Sequence, residues 1–100
     1  MRWARYAIKM ARYNKWRSRV EKICIHSIRN GVLGPPRTWP RENLLHVLEK
    51  GLDVIVLPSG KELDELDSRR VQRISLNREV YIRVDGDEAP SDYLGDLPVM

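Results

Sequence analysis

The sequence predicts a small α+β domain, and three observations carry that expectation. A chain of 100 residues that is 42% apolar and 32% charged suits one modest hydrophobic core and is too short for two. Its first 17 residues place apolar side chains at roughly helical spacing, and no Gly or Pro interrupts before Gly31. Two β-branched runs near residues 71–76 and 79–84 are separated by only two residues, as in a hairpin. The expected architecture is a mixed or antiparallel sheet of about four strands with helices packed on one side. The expected element order is α-β-α-β-α-β-β.

The first element expected is an amphipathic helix from Arg2 to about Arg17. A step of about 100° per residue gathers Trp3, Tyr6, Ala7, Met10, Ala11 and Tyr13 on one side. The same step gathers Arg2, Arg5, Lys9, Arg12, Lys15 and Arg19 on the other, with Trp16 among them. From Val20 the apolar phase drifts, and Ile23-Cys24-Ile25-His26-Ser27-Ile28 is β-branched enough for a strand over about 21–28. One continuous helix to Asn30, closed by Gly31, is the competing reading.

Gly31 to Pro40 reads as a stiff loop around Gly34-Pro35-Pro36. Thr38 is the expected N-cap of a second helix, about 39–50, with Pro40 tolerated in its first turn. Leu44, Leu45, Val47 and Leu48 form its buried stripe, and Gly51 suits the left-handed position after its end. Leu52 to Leu57 follows as a buried strand ended by Pro58. Ser59 and Glu62 have capping-box spacing and predict a short acidic helix over about 60–68. The hairpin turns at Asn77-Arg78. Residues 1–84 are therefore expected to form the domain, and 85–100 a flexible acidic tail.

Chemistry narrows the function classes. The single Cys24 excludes an internal disulfide and a Cys-only metal site, and suits a reducing cytoplasm. Cys24 and His26 share a strand face, but their Cα atoms then lie about 6–7 Å apart with parallel side chains, a poor nucleophile–base geometry. A zinc site from Cys24, His26 and His46 lacks a fourth ligand and paired spacing. Asp85-Gly86-Asp87 begins like a calcium loop, but Ala89 and Pro90 stand where a ligand and a Gly are required. Gly31-Val32-Leu33-Gly34 leads into two prolines and not a Lys-Ser/Thr, so it is no phosphate loop. A non-enzymatic protein without cofactor or metal is the expectation. No apolar run approaches the length of a spanning helix or a signal peptide.

The formal charge of +4 hides a strong partition. Residues 1–30 hold nine Arg/Lys and one acid, 31–84 nine and eight, and 85–100 none and five. The segment charges are therefore +8, +1 and −5. The first 20 residues hold seven Arg/Lys and no acid, the charge of a mitochondrial presequence, but they have a single serine, and retention is expected.

A basic stripe of Arg2, Arg5, Lys9, Arg12, Lys15 and Arg19 neutralises phosphates and releases their counterions, and an exposed Trp16 stacks on a base or enters a groove. The expected function is thus nucleic-acid binding, to DNA or RNA, through the N-terminal helix. The alternative is a protein-interaction module (adaptor, assembly subunit or inhibitor) that docks the same face on an acidic protein surface. A membrane-surface helix is disfavoured because the core needs its aromatic face. A homodimer through that face is a variant, and the acidic tail is a potential competitor for the basic stripe.

Overall fold

The computed structural model describes residues 4–58 and 69–100. The elements are β1 (Tyr6–Tyr13), β2 (Val20–Arg29), β3 (Val32–Leu33), β4 (Arg37–Pro40), α1 (Arg41–Glu49), β5 (Val54–Val56), β6 (Gln72–Leu76) and β7 (Glu79–Arg83). The expected helix over 60–68 and its capping box lie outside the described residues.

The N-terminal segment is not a helix. β1 and β2 are antiparallel partners, and β5 lies parallel to β1 on its other side. The register explains why β1 mimics helical spacing. Ile8 faces Ile25, but the next paired residue is Met10, opposite Cys24, so Lys9 is an extra residue on β1. This bulge resets the two-residue alternation. The buried residues Ala7, Ile8 and Ala11 therefore recur at spacings of three and four, as on a helix. A second shift leaves Glu21 as an extra residue on β2, between the pairs Arg12–Lys22 and Tyr13–Val20. Both bulges add twist and curl the sheet.

β2 is the centre of the curl. One edge carries β1, and the other is shared by β3, opposite Ile28 and Arg29, and by β4, opposite Lys22 to Ile25. The expected 31–40 loop thus contributes two short strands. Thr38 lies in β4 opposite Cys24 and does not cap the helix. Pro40 is the N-cap residue, and no side chain caps α1. At the other end, Gly51 has φ +78°. Its N–H donates to the Leu48 carbonyl, and that of Leu52 to Val47, a Schellman closure.

The main core lies between the sheet and α1. Ile8, Ile23, Ile25, Leu44 and Val54 are almost fully buried there, joined by Ile82 of β7 and Leu94. Each such side chain contributes about 1.5–3 kcal/mol on burial. Tyr6 and Trp39 close one side as an edge-to-face pair, 5.0 Å between centroids at 61°. A smaller cluster of Ala4, Ala7, Ile28, Ile55 and Leu57 covers the opposite face. β6 and β7 form a two-stranded antiparallel ribbon turning at Asn77 and Arg78, both with positive φ. Together these elements make a small compact domain, with a Cα radius of gyration of 12.7 Å against about 13 Å expected for this length. Among the described residues it has one helix and a curled mixed sheet.

Residues 85–100 are not a free tail. Leu94 is fully buried, and Asp92 is 2% exposed. The Asp92 carboxylate accepts the backbone N–H of Val20 (2.8 Å), the N–H of Ile82 (2.9 Å) and a two-pronged contact from Arg41 (2.8 and 3.1 Å). Arg41 also donates to the Val80 carbonyl. Further on, Ala11 of β1 exchanges backbone hydrogen bonds with this terminus: Ala11 N–H donates to the Pro98 carbonyl, and Met100 N–H to the Ala11 carbonyl. The terminus thereby occupies the β1 edge that β5 leaves open.

Removing one partner of a buried ion pair strands the other charge and the attached donors. Asp92→Ala is expected to cost about 3–5 kcal/mol in urea unfolding. Asp92→Asn retains an acceptor oxygen and should lose less.

A second acid in this segment responds to pH. Arg83, itself buried, donates two hydrogen bonds to Asp85 at 2.9 and 2.7 Å. These bonds, more than the opposing desolvation, lower the Asp85 carboxyl from 3.8 to about 2. Its folded value lies below its unfolded one, so the stabilisation is present above about pH 4 and disappears as pH falls through 2. In denaturant titrations, the stability gap between wild type and Asp85→Asn should narrow over that interval.

Candidate functional site

The β1–β2 hairpin ends in a five-residue tip, Asn14-Lys15-Trp16-Arg17-Ser18, and Asn14 organises it. Asn14 N–H donates to the Arg19 carbonyl at 2.8 Å, and Arg17 N–H donates to the Asn14 carbonyl at 3.0 Å. The Asn14 side-chain oxygen accepts the Ser18 N–H (2.9 Å), and its amide donates to the Ser18 hydroxyl (3.0 Å). Arg17 adopts φ 53°, a left-handed conformation that reverses the chain without glycine. The side-chain bonds of Asn14 hold that turn in the manner of an Asx motif.

The tip presents three exposed side chains: Lys15, Trp16 and Arg17. Trp16 is 73% exposed, unusual for the residue with the largest apolar surface. The Lys15 ammonium lies 4.6 Å from the centre of its ring. The Arg17 guanidinium lies 5.0 Å over the Tyr13 ring. Tyr13 is in turn fixed from beneath, where its hydroxyl oxygen accepts the Leu94 N–H at 2.9 Å. Burial raises the Tyr13 phenol above its ordinary value, against the lowering effect of that bond. The former tail also grips the other strand, through Asp92 N–H to the Ser18 carbonyl at 2.7 Å and Asp92 carboxylate to Val20 N–H. The residues expected to compete with the basic segment instead support it from behind.

The stripe expected from the helical wheel is dispersed by the strand. Arg2 lies outside the described residues. Arg5 is exposed at the end of β1 remote from the tip, where its backbone pairs with Asp53 and Ile28. Lys9 occupies the bulge and is half-buried. Arg12 stays near the tip, 3.8 Å from Glu21 and directly opposite Lys22. Arg19 turns to β7, where it forms a 2.8 Å pair with Glu79 and lies 5.5 Å over the Tyr81 ring. The hydrogen bond to Glu79 is the main cause that raises its pKa. Lys15 and Trp16 remain together at the apex, with Arg12 behind them on the ribbon.

Two members of the group escaped the helical reading: Arg17 at the tip and Lys22 across from Arg12. A mostly polar stretch from Asn14 to Ser18 between two β-branched or aromatic runs hints at a turn, but only the strand register sets Lys22 across from Arg12. Cys24 and His26 do share a strand face, but His26 donates through Nδ1 to the Gly34 carbonyl at 2.8 Å. Among the described residues no group of three or more His, Cys, Asp and Glu could hold a metal ion, and no helix is long and apolar enough to cross a membrane. The membrane-surface and homodimer readings both required an aromatic helical face. Ala7, Ala11, Tyr6 and Tyr13 pack inside instead. No family model, curated protein or solved structure matches the chain.

Asn14→Ala removes the acceptor for the Ser18 and Arg19 N–H groups. The expected cost is about 1–2 kcal/mol of stability. Backbone 15N order parameters at residues 15–17 should fall while those of β1 and β2 are retained.

Proposed function

We propose that this protein is a non-enzymatic nucleic-acid-binding protein that contacts phosphates and an unpaired base through the β1–β2 hairpin tip. The observation that carries the reading is the 73% exposed Trp16 held between Lys15 and Arg17 on a turn locked by Asn14. An indole left in water contributes nothing to the core, and its π-face is the kind of platform on which a base stacks. Lys15 and Arg17 supply the phosphate contacts, Arg with a planar fork suited to two oxygens. Arg12 and Lys22 continue the cationic surface along the ribbon. The mode differs from a basic helix laid in a groove, because the contact is a narrow tip. That shape favours single-stranded or unstacked nucleic acid over a regular duplex.

A second reading rests on the same tip. Trp and Arg dominate the anchors of protein interfaces, so Trp16 and Arg17 suit an acidic protein pocket. Affinity purification with and without nuclease separates the two: a stoichiometric protein retained after nuclease treatment favours docking.

The direct test is the salt dependence of binding to a single-stranded oligonucleotide. Lys15→Ala/Arg17→Ala should weaken binding to all sequences and reduce the slope of log K against log salt by about 1.4, at about 0.7 per phosphate contact. Trp16→Ala should lose about 1–3 kcal/mol of affinity, the cost of one base–aromatic stack, with the slope unchanged. Absence of binding to any DNA or RNA at about 50 mM salt overturns the proposal.

A further inference from the structure

A second cationic feature lies at the other end of β2, about 30 Å from the tip at ~3.3 Å per residue. It does not depend on the hairpin reading. There the β3–β4 connection crosses the sheet edge beside Ser27. Gly34 N–H donates to the Ser27 carbonyl at 2.7 Å. A Cβ at Gly34 would stand 2.6 Å from the Ser27 hydroxyl oxygen, so a larger residue there would force the Ser27 side chain to turn away. Pro35 and Pro36 then return the chain to β4 with little backbone freedom. The His26 bond to the Gly34 carbonyl fixes the same loop from the neighbouring position.

This stiff loop borders an open cavity of about 360 Å³ lined by Ser27, Arg29, Gly34 and Arg37, among others. Ser27 and Arg29 are two apart on β2 and share a face. Arg37 lies opposite Ile25, which has the same parity, so its side chain rises from that face one diagonal step from Ser27. Neither arginine has an ion-pair partner among the described residues. Among the described residues, no carboxylate lines the cavity. Two arginines without an ion-pair partner among the described residues and a serine therefore line one recess, beside Val32, Leu33 and Pro35.

We infer that the recess bounded by Ser27, Arg29, Gly34 and Arg37 is a binding site for a phosphate group. Guanidinium forks pair with phosphate oxygens through two parallel hydrogen bonds, and the Ser27 hydroxyl donates a further one. The group is either free inorganic phosphate or the terminal phosphate of a nucleic acid strand, which share this chemistry.

The test is titration of the 15N-labelled protein with inorganic phosphate to about 20 mM at constant ionic strength, above the millimolar affinity that exposed pairs supply. Backbone shifts should centre on Ser27, Arg29, Gly34 and Arg37. Arg29→Ala and Arg37→Ala should each weaken binding about tenfold. Lys15→Ala/Arg17→Ala should leave it unchanged, which keeps this result separate from the fate of the hairpin. A second arm compares one oligonucleotide with and without a 5′-phosphate. A preference for the phosphorylated form that Arg29→Ala abolishes supports the strand terminus as the source. Equal binding of the two forms, with inorganic phosphate still bound at the recess, supports the free ion. Absence of phosphate-dependent shifts overturns the proposal. So do shifts centred on the hairpin tip, or binding unaltered in both arginine variants with their spectra otherwise intact.

Discussion

The structure depends on one buried carboxylate. Asp92 binds elements distant in sequence: Val20, which opens β2, Ile82 in β7, and Arg41 in the first turn of α1. Its side chain is fully enclosed, and that of Arg41 is 15% exposed. A charge so far from water is tolerable only when its oxygens are satisfied, and here both of them accept hydrogen bonds. The requirement works in reverse as well. The oxygens can be satisfied only when the hairpin, the helix and the β6–β7 ribbon have already come together. Asp92 therefore acts as a geometric condition on assembly more than as a source of net stability. It also explains why a segment with five acids and no base is ordered: Asp92 neutralises Arg41, and Asp85 neutralises the buried Arg83.

That dependence reaches the candidate surface at the hairpin tip. The hairpin tip stands on Tyr13 and Ser18, and the chain around Asp92 holds both, through the Leu94 and Asp92 N–H groups. A site on a loop is usually less well placed than one on a strand. Here the loop is short, its turn is closed by Asn14, and its base is tied to the core on both strands. The exposed side chains at the apex therefore project from a fixed frame, which lowers the ordering cost of any contact they make.

How much of this was legible in the sequence follows from which signals are local. The β-branched run at Ile23–Ile28 and the leucine stripe of α1 depend on neighbours in the chain, and they reported a strand and a helix near their places. Gly51 marked the end of α1 because a left-handed position nearly requires it. The first segment misled for a specific reason. A bulge at Lys9 breaks the alternation of β1, and what remains, with Ala7, Ile8 and Ala11 inside, has the spacing of a helix. No propensity argument detects a bulge whose cause is the pairing of Met10 with Cys24. The terminal segment misled in another way. Its acids suggested solvent, while the reason for its order, Arg41, lies 51 residues earlier. For the candidate site, composition singled out Lys15 and Trp16 but attached them to a stripe that the strand disperses. Arg17 and Lys22 became visible only with the turn and the register.

Two features of the hairpin remain unexplained by folding alone. Arg12 and Lys22 are direct cross-strand partners, and like charges so placed oppose pairing by a few tenths of a kcal/mol or more. Glu21 relieves Arg12 in part, at 3.8 Å. Trp16, meanwhile, leaves most of its ring in water while the core is filled by Ile, Leu and Val. Local rules are broken in natural proteins mainly where function requires it. Both departures occur within one end of one ribbon. On the proposed reading, a polyanion would offset the repulsion between Arg12 and Lys22, and a base would cover the indole. Among the described residues, Glu79 is paired with Arg19, Asp92 with Arg41 and Asp85 with Arg83. Arg12, Lys15, Arg17 and Lys22 all remain exposed at this end of the hairpin.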